Sequence, residues 1–127
     1  MEFRTCRRHW GAEFISDDVV RFRVWAEGQK DLTLRLTDTD IPMAAVGDGW
    51  FQVDVPGVRH GTPYQFVLQD GMAVPDPASR AQQADVNGPS VVIEPRHNLP
   101  AQREWQGRPW EETVIYEMHI GTFTGEG

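Results

Sequence analysis

Apolar and polar residues alternate through four stretches of the first 75 positions. In Val19–Ala26, Val20, Phe22 and Val24 stand opposite Arg21, Arg23 and Trp25. In Asp31–Thr37, Leu32, Leu34 and Leu36 stand opposite Thr33, Arg35 and Thr37. Phe51, Val53 and Val55 oppose Trp50, Gln52 and Asp54, and Tyr64, Phe66 and Leu68 oppose Gln65, Val67 and Gln69. A period of two, repeated in this way, predicts antiparallel strands that each turn one face to a core. Trp10–Ile15 is a weaker strand of the same kind. Between these stretches lies turn chemistry: Asp17-Asp18, Glu27-Gly28, Thr37–Asp40, Gly47-Asp48-Gly49 and Gly61-Thr62-Pro63. Asp70-Gly71 is a hairpin signal that would let Gln69 pair back toward Met72–Val74. No stretch has a helical period. Short strands at this spacing predict an all-β, immunoglobulin-like antiparallel sandwich.

Beyond Val74 the pattern changes. Pro75–Pro89 holds three prolines and no period, which predicts a long irregular loop, and loops of that length are commonly functional or interface-forming. Ser90–Glu94 reads as a last short strand, and 95–112 as a polar, proline-containing linker. Val114, Ile115, Tyr116, Met118 and Ile120 then nearly form one apolar run. Such a run predicts a strand buried on both faces, of the type found in parallel sheets. The expected organisation is a sandwich over 1–94, a linker over 95–112, and the beginning of a second unit over 113–127.

Composition narrows the function classes. The 127 residues are 39% hydrophobic and 24% charged, with a formal net charge of −7. That suits a globular chain with a sizeable core and argues against nucleic acid or an anionic membrane as partner. Cys6 is the sole cysteine, so no internal disulfide can form, as expected of a reducing compartment. No apolar run approaches the roughly 20 residues of a membrane span, and Met1–Arg4 does not open a signal peptide. A soluble cytoplasmic protein is the expectation.

Three stretches together carry a family resemblance: VRFRVWA (Val20–Ala26), VPDPASRAQQADVNGPSVV (Val74–Val92) and VIYEMHIGTFT (Val114–Thr124). In these the chain resembles the N-terminal part of the malto-oligosyltrehalose trehalohydrolases, a family of glycoside hydrolases in the α-amylase superfamily. The resemblance implies an immunoglobulin-like domain of the glycogen- and starch-associated type, placed before a catalytic TIM barrel. It implies that YEMHIGTFT is the first barrel strand with its loop, and that the rest of the barrel lies beyond Gly127. The reaction it implies is hydrolysis of the α-(1→4) glucosidic bond beside a terminal trehalose unit, with a malto-oligosaccharide-type substrate and no cofactor. The two carboxyl groups that retaining glycosidases place across the scissile bond would sit on later barrel strands. No catalytic residue is therefore expected in this piece, which should be inactive alone. The alternative is a glucan-binding module of a glycogen branching or debranching enzyme. A generic immunoglobulin-like adhesion domain explains the alternation but not the terminal apolar run.

The candidate site residues divide by role. Trp25 and Trp50 fall on the outward faces of their strands and are candidates for a sugar platform, since flat aromatic rings stack on sugar faces. Packing against the barrel is the competing role. Asp76, Ser79 and Arg80 in the long loop, with Trp105 and Trp110 in the linker, are candidates for the domain interface. Glu117 and His119 alternate within the terminal run and are candidates for support of the sugar site from the barrel interior, where strand ends carry active-site residues. His9, His60, His97 and His119 with Cys6 show no metal-ligand spacing, so no metal is expected. No phosphate loop, dinucleotide fingerprint or nucleophile elbow appears.

Overall fold

The computed structural model describes residues 10–94 and 109–126. Alternation becomes two antiparallel sheets. The first has the order β1 (Gly11–Ser16), β2 (Val19–Trp25), β6 (Trp50–Pro56) and β5 (Ala44–Gly47). The second runs β4 (Thr39–Pro42), β3 (Thr33–Leu36) and β7 (Pro63–Val67), with β8 (Ala73–Val74) and β9 (Ser90–Val91) both pairing with β7.

Most of the inward residues are those the alternation marks. Val20, Phe22, Leu34, Phe66 and Val92 are almost wholly shielded, and Val24, Leu32, Phe51, Val55 and Tyr64 complete the core around them. Each such side chain contributes about 1.5–3 kcal/mol by leaving water. The two sheets meet where the Phe22 and Tyr64 rings cross edge to face at 4.9 Å, a favoured aromatic geometry. Asp48 and Gly49 form a two-residue turn between the paired Gly47 and Trp50, with φ of 51° and 78°. Positive φ at both positions matches the twist of a β-hairpin.

The structure departs from the sequence reading at several places. Thr37–Asp40 is not all turn: Thr37-Asp38 connects, while Asp40 lies in β4 and receives two hydrogen bonds of 2.7 Å from Arg35. β4 and β5 went unforeseen because they are outer strands whose side chains are mostly exposed, so burial imposes no alternation on them. The hairpin at Asp70-Gly71 has a wider loop than expected. Its ladder begins at Val67 and Ala73, and Leu68 and Met72 close it by a 2.9 Å backbone bond. Only Ser90–Val91 of the Ser90–Glu94 stretch is strand. Pro75–Pro89 is irregular yet internally bonded, with Gln83 N–H donating to the Pro89 carbonyl and Val91 N–H to that of Ala81.

The apolar run toward the end, 113–120, takes no strand form in this chain. Thr113 and His119 are extended, Ile120–Phe123 makes one helical turn, and no residue of the run pairs with a neighbour among the described residues. A strand is held by the hydrogen bonds of an adjacent strand, and none of the described residues supplies them here. Val114 is 92% exposed and Ile115, Tyr116 and Met118 are also open to solvent.

Candidate functional site

The outward residues of β2 are Arg21, Arg23 and Trp25, and the register sets Trp50, Gln52 and Asp54 of β6 opposite them. Arg21 and Asp54 form a bidentate pair at 2.8 Å. The hydrogen bonds from Arg21 hold the Asp54 carboxyl below its ordinary range. Arg23 does something different. Its guanidinium carbon lies 4.6 Å from the centre of the Trp50 ring, within cation–π range. Its Nε is buried and has no hydrogen-bond partner. Trp10 approaches the same ring at 6.1 Å, tilted by 59°.

Trp50 is therefore the half-buried base of an aromatic group, covered by Arg23 and Trp10. The exposed rings are Trp10, 60% open, and Trp25, 52% open. Trp25 is fixed by its own edge: Nε1 donates to the Asp48 carbonyl at 2.9 Å. Gly49 makes this possible, because a Cβ there would stand 2.8 Å from Trp25 Nε1.

The long loop forms the facing wall. Asp76 is 3% exposed. Its Oδ2 accepts from the Tyr64 hydroxyl at 2.6 Å and its Oδ1 from the Ala78 N–H at 2.7 Å. Its own N–H donates to Ser90 Oγ at 2.9 Å. Burial pushes the Asp76 carboxyl above its ordinary range, while Tyr64, the Ala78 N–H and the Arg80 charge pull it back. Burial and the neighbouring carboxylate raise the Tyr64 hydroxyl far above its usual range. Ser79 Oγ donates to the Ala81 carbonyl at 2.8 Å, and Arg80 Nη1 reaches the Ala12 carbonyl at 2.9 Å. The loop is thus strapped to the sandwich through β1 and β7.

Between loop and sheet lies a cleft of about 450 Å³, lined by Trp10, Arg23, Trp25 and residues 76–80. It joins four of the sequence candidates, Trp25, Asp76, Ser79 and Arg80, and leaves Trp50 beneath the floor. Its chemistry is that of contact. Among the described residues, Asp76 is the one carboxyl that lines it, and both of its oxygens already accept hydrogen bonds. Sequence reasoning missed Trp10 and Arg23. Trp10 directly precedes β1, but its approach to Trp50 depends on the β1–β2–β6 register, in which Gly11 faces Arg23.

The remaining candidates lie apart in sequence. Trp110 is 76% exposed in a single 3₁₀ turn, Trp110–Glu112. Glu117 and His119 are exposed, and the Thr122 N–H donates to the His119 carbonyl at 3.1 Å. Trp105 lies outside the described residues. Among the described residues, no three His, Cys, Asp or Glu side chains gather as metal ligands would, and no helix is long and apolar enough to cross a membrane.

No protein-family model matches the chain. Individual proteins do. A malto-oligosyltrehalose trehalohydrolase of Saccharolobus solfataricus is 38% identical over 114 residues, covering 89% of this chain and 20% of that protein. A second, from Deinococcus radiodurans, is 35% identical over 107 residues, covering 84% and 18%. Among solved structures, a putative alpha amylase from Salmonella typhimurium superimposes with a TM-score of 0.83 at 58% identity, covering 94% of this chain and 20% of that one. The chain spans about a fifth of the length of the relatives it matches.

Proposed function

This chain corresponds to the N-terminal domain region of the malto-oligosyltrehalose trehalohydrolases, and from that premise we propose that it is the non-catalytic domain of a trehalose-releasing glycoside hydrolase. The enzyme would cut the α-(1→4) glucosidic bond beside the terminal trehalose of a malto-oligosyltrehalose. The sandwich would pack on the catalytic barrel and shape the approach to its site. The observation that carries this reading is the 38% identity sustained over 89% of the chain.

The geometry supports a packing role. The exposed run from Val114 through Met118 has the composition of a buried strand, and an apolar stretch of that size calls for a covering partner. Trp110 offers a large apolar surface beside it. In the intact enzyme the run would be the first strand of the barrel, with Glu117 and His119 turned toward its interior. An interface of this type buries about 600–1,500 Å². A cytoplasmic setting fits the single cysteine.

The test is a deletion. The whole product of the gene is prepared with and without residues 10–94, and both forms are assayed on maltotriosyltrehalose. Loss of most of the activity or of soluble enzyme on deletion is expected. A truncated form that hydrolyses the substrate at the full rate would overturn the packing role.

A further inference from the structure

We propose that His60 is a pH-sensitive latch at the exit of the sandwich: its neutral imidazole makes the last rung that holds the chain beyond β9 before the stretch 95–112, and a proton on that ring removes the rung. The latch stands whichever enzyme the domain serves.

It follows from how the chain leaves β9. Tyr64 pairs with Ser90 and Pro63 with Val91. The ladder then continues past the strand itself. Val92 N–H donates to the Thr62 carbonyl at 2.9 Å, and Gly61 N–H donates to the Val92 carbonyl at 2.8 Å. At Gly61 a φ of 86° turns the β6–β7 connection away, a conformation that glycine adopts readily. The following rung comes from a side chain: Glu94 N–H donates to His60 Nδ1 at 3.1 Å. A tight turn presents the imidazole there. Thr62 N–H donates to the Arg59 carbonyl at 3.2 Å, and Arg59 N–H donates to Thr62 Oγ1 at 3.3 Å. Val92 is fully shielded, Glu94 is half-buried and His60 is exposed. The rung thus sits where the chain passes from core to surface, within reach of solvent protons.

Its chemistry sets this rung apart from the two before it. A backbone N–H can only donate, so Nδ1 offers its lone pair and the proton of the neutral ring stands on Nε2. Imidazolium carries a proton on both nitrogens and accepts nothing. Histidine side chains ordinarily change charge between about pH 5 and 8, whereas the carbonyl acceptors at Thr62 and Val92 do not titrate there. Among the described residues, the charged side chains of the two segments that meet at the ring are Arg59 and Glu94. The Glu94 carboxylate favours the imidazolium and Arg59 opposes it, and neither restores a lone pair to Nδ1 once the ring is charged. The chain entering 95–112 is therefore held from Glu94 when the ring is neutral and from Val92 when it is charged.

The test reads single amides in the isotope-labelled 127-residue chain. Long-range imidazole correlations at about pH 8 should place the His60 proton on Nε2; a proton on Nδ1 overturns the latch. Hydrogen exchange, expressed as protection over an unstructured peptide, should show Glu94 losing about three- to tenfold as pH falls from about 8 to about 5. Val92 and Gly61 should keep their protection over the same range. Two variants separate the latch from a general loosening in acid, and because His60 is exposed neither disturbs the core. His60→Asn sets a carbonyl oxygen close to the place of Nδ1 and cannot titrate, so Glu94 should stay protected at both ends of the range. His60→Leu should leave Glu94 at the low level throughout. In the whole gene product, exchange read by mass spectrometry over a peptide reaching Glu94 should show the same loss on acidification. Protection at Glu94 that ignores pH, rises in acid or falls together with that of Val92 overturns the latch, as does an Asn variant that behaves like the Leu variant.

Discussion

Replacing Tyr64 with phenylalanine removes one oxygen from the centre of the sandwich and leaves the ring packing intact. The ring crosses Phe22 at 4.9 Å and Phe66 at 6.0 Å, and both contacts survive the change. What is lost is the 2.6 Å hydrogen bond to Asp76 Oδ2. Asp76 is 3% exposed, so water cannot replace the donor. A hydrogen bond to a charged group is worth about 1.5–3 kcal/mol, and leaving a buried acceptor unsatisfied costs about the same. Asp76 retains the Ala78 N–H and the field of Arg80, which places the expected loss near the middle, about 2 kcal/mol. For a domain of this size, 1 kcal/mol shifts the melting temperature by about 4–8 °C, so Tyr64→Phe should melt about 8–16 °C lower.

The pH dependence gives the prediction a second arm. Burial already raises the Asp76 carboxyl in the folded state, and the Tyr64 bond opposes that rise. Without the bond the folded value climbs further. A raised folded value means that the folded state binds the proton more tightly than the unfolded chain does. The cost of ionised Asp76 is then fully present above the folded value and disappears below the unfolded one, about 3.9. The deficit of Tyr64→Phe should be largest near neutrality and shrink as pH falls through the raised range. Urea unfolding followed by circular dichroism, repeated across pH, measures both quantities. A loss under about 0.5 kcal/mol at neutral pH, or a deficit that grows on acidification, would refute the reasoning.

Four further outcomes are expected. Gly49→Ala should cost more than about 2 kcal/mol, because φ there is +78° and the new methyl would stand 2.8 Å from Trp25 Nε1; a shifted tryptophan emission spectrum with a lower melting temperature would show it. Thr37→Asn should stabilise by up to about 1 kcal/mol, since Thr37 holds φ at 51°, where a branched side chain is strained and Asn is not; thermal melts decide. Arg21→Gln should cost less than about 1 kcal/mol at neutral pH, the pair with Asp54 being more than a third exposed. Because the folded Asp54 carboxyl is depressed, that small contribution is present above the ordinary carboxylate range and is lost as pH falls through the depressed one. Finally, the 127-residue chain should self-associate through its exposed run, and Val114→Asp with Ile115→Asp should return it to a monomer in sedimentation velocity.

The core was legible because burial enforces a period of two. Phe22 and Phe66 could be placed inside from their neighbours alone, and so could Leu34 and Val20. The outer strands were not legible, since Ala44–Gly47 buries no side chain and hydrogen bonding to β6 leaves no mark on composition. The candidate site lay between these cases. Trp25 and Trp50 were visible as outward aromatics. Only the strand register shows that Arg23 and Trp10 cover Trp50 while Trp25 stays open. Asp76 was legible as a loop residue that caps turns; its bond to Tyr64 crosses 12 positions and follows from how the loop folds back over β7. The run at 113–120 carries the composition of a strand, and composition cannot supply the neighbouring strand that a sheet requires.

The central claim is that this sandwich belongs to an enzyme that liberates trehalose. The most direct measurement is a product analysis. Maltotriosyltrehalose is incubated with the whole product of the gene, and separately with the 127-residue chain, and the sugars are separated by anion-exchange chromatography. The account predicts equal amounts of free trehalose and maltotriose from the whole product, and neither from the short chain. Trehalose released by the short chain, or a whole product that forms branched glucan and no trehalose, would contradict it.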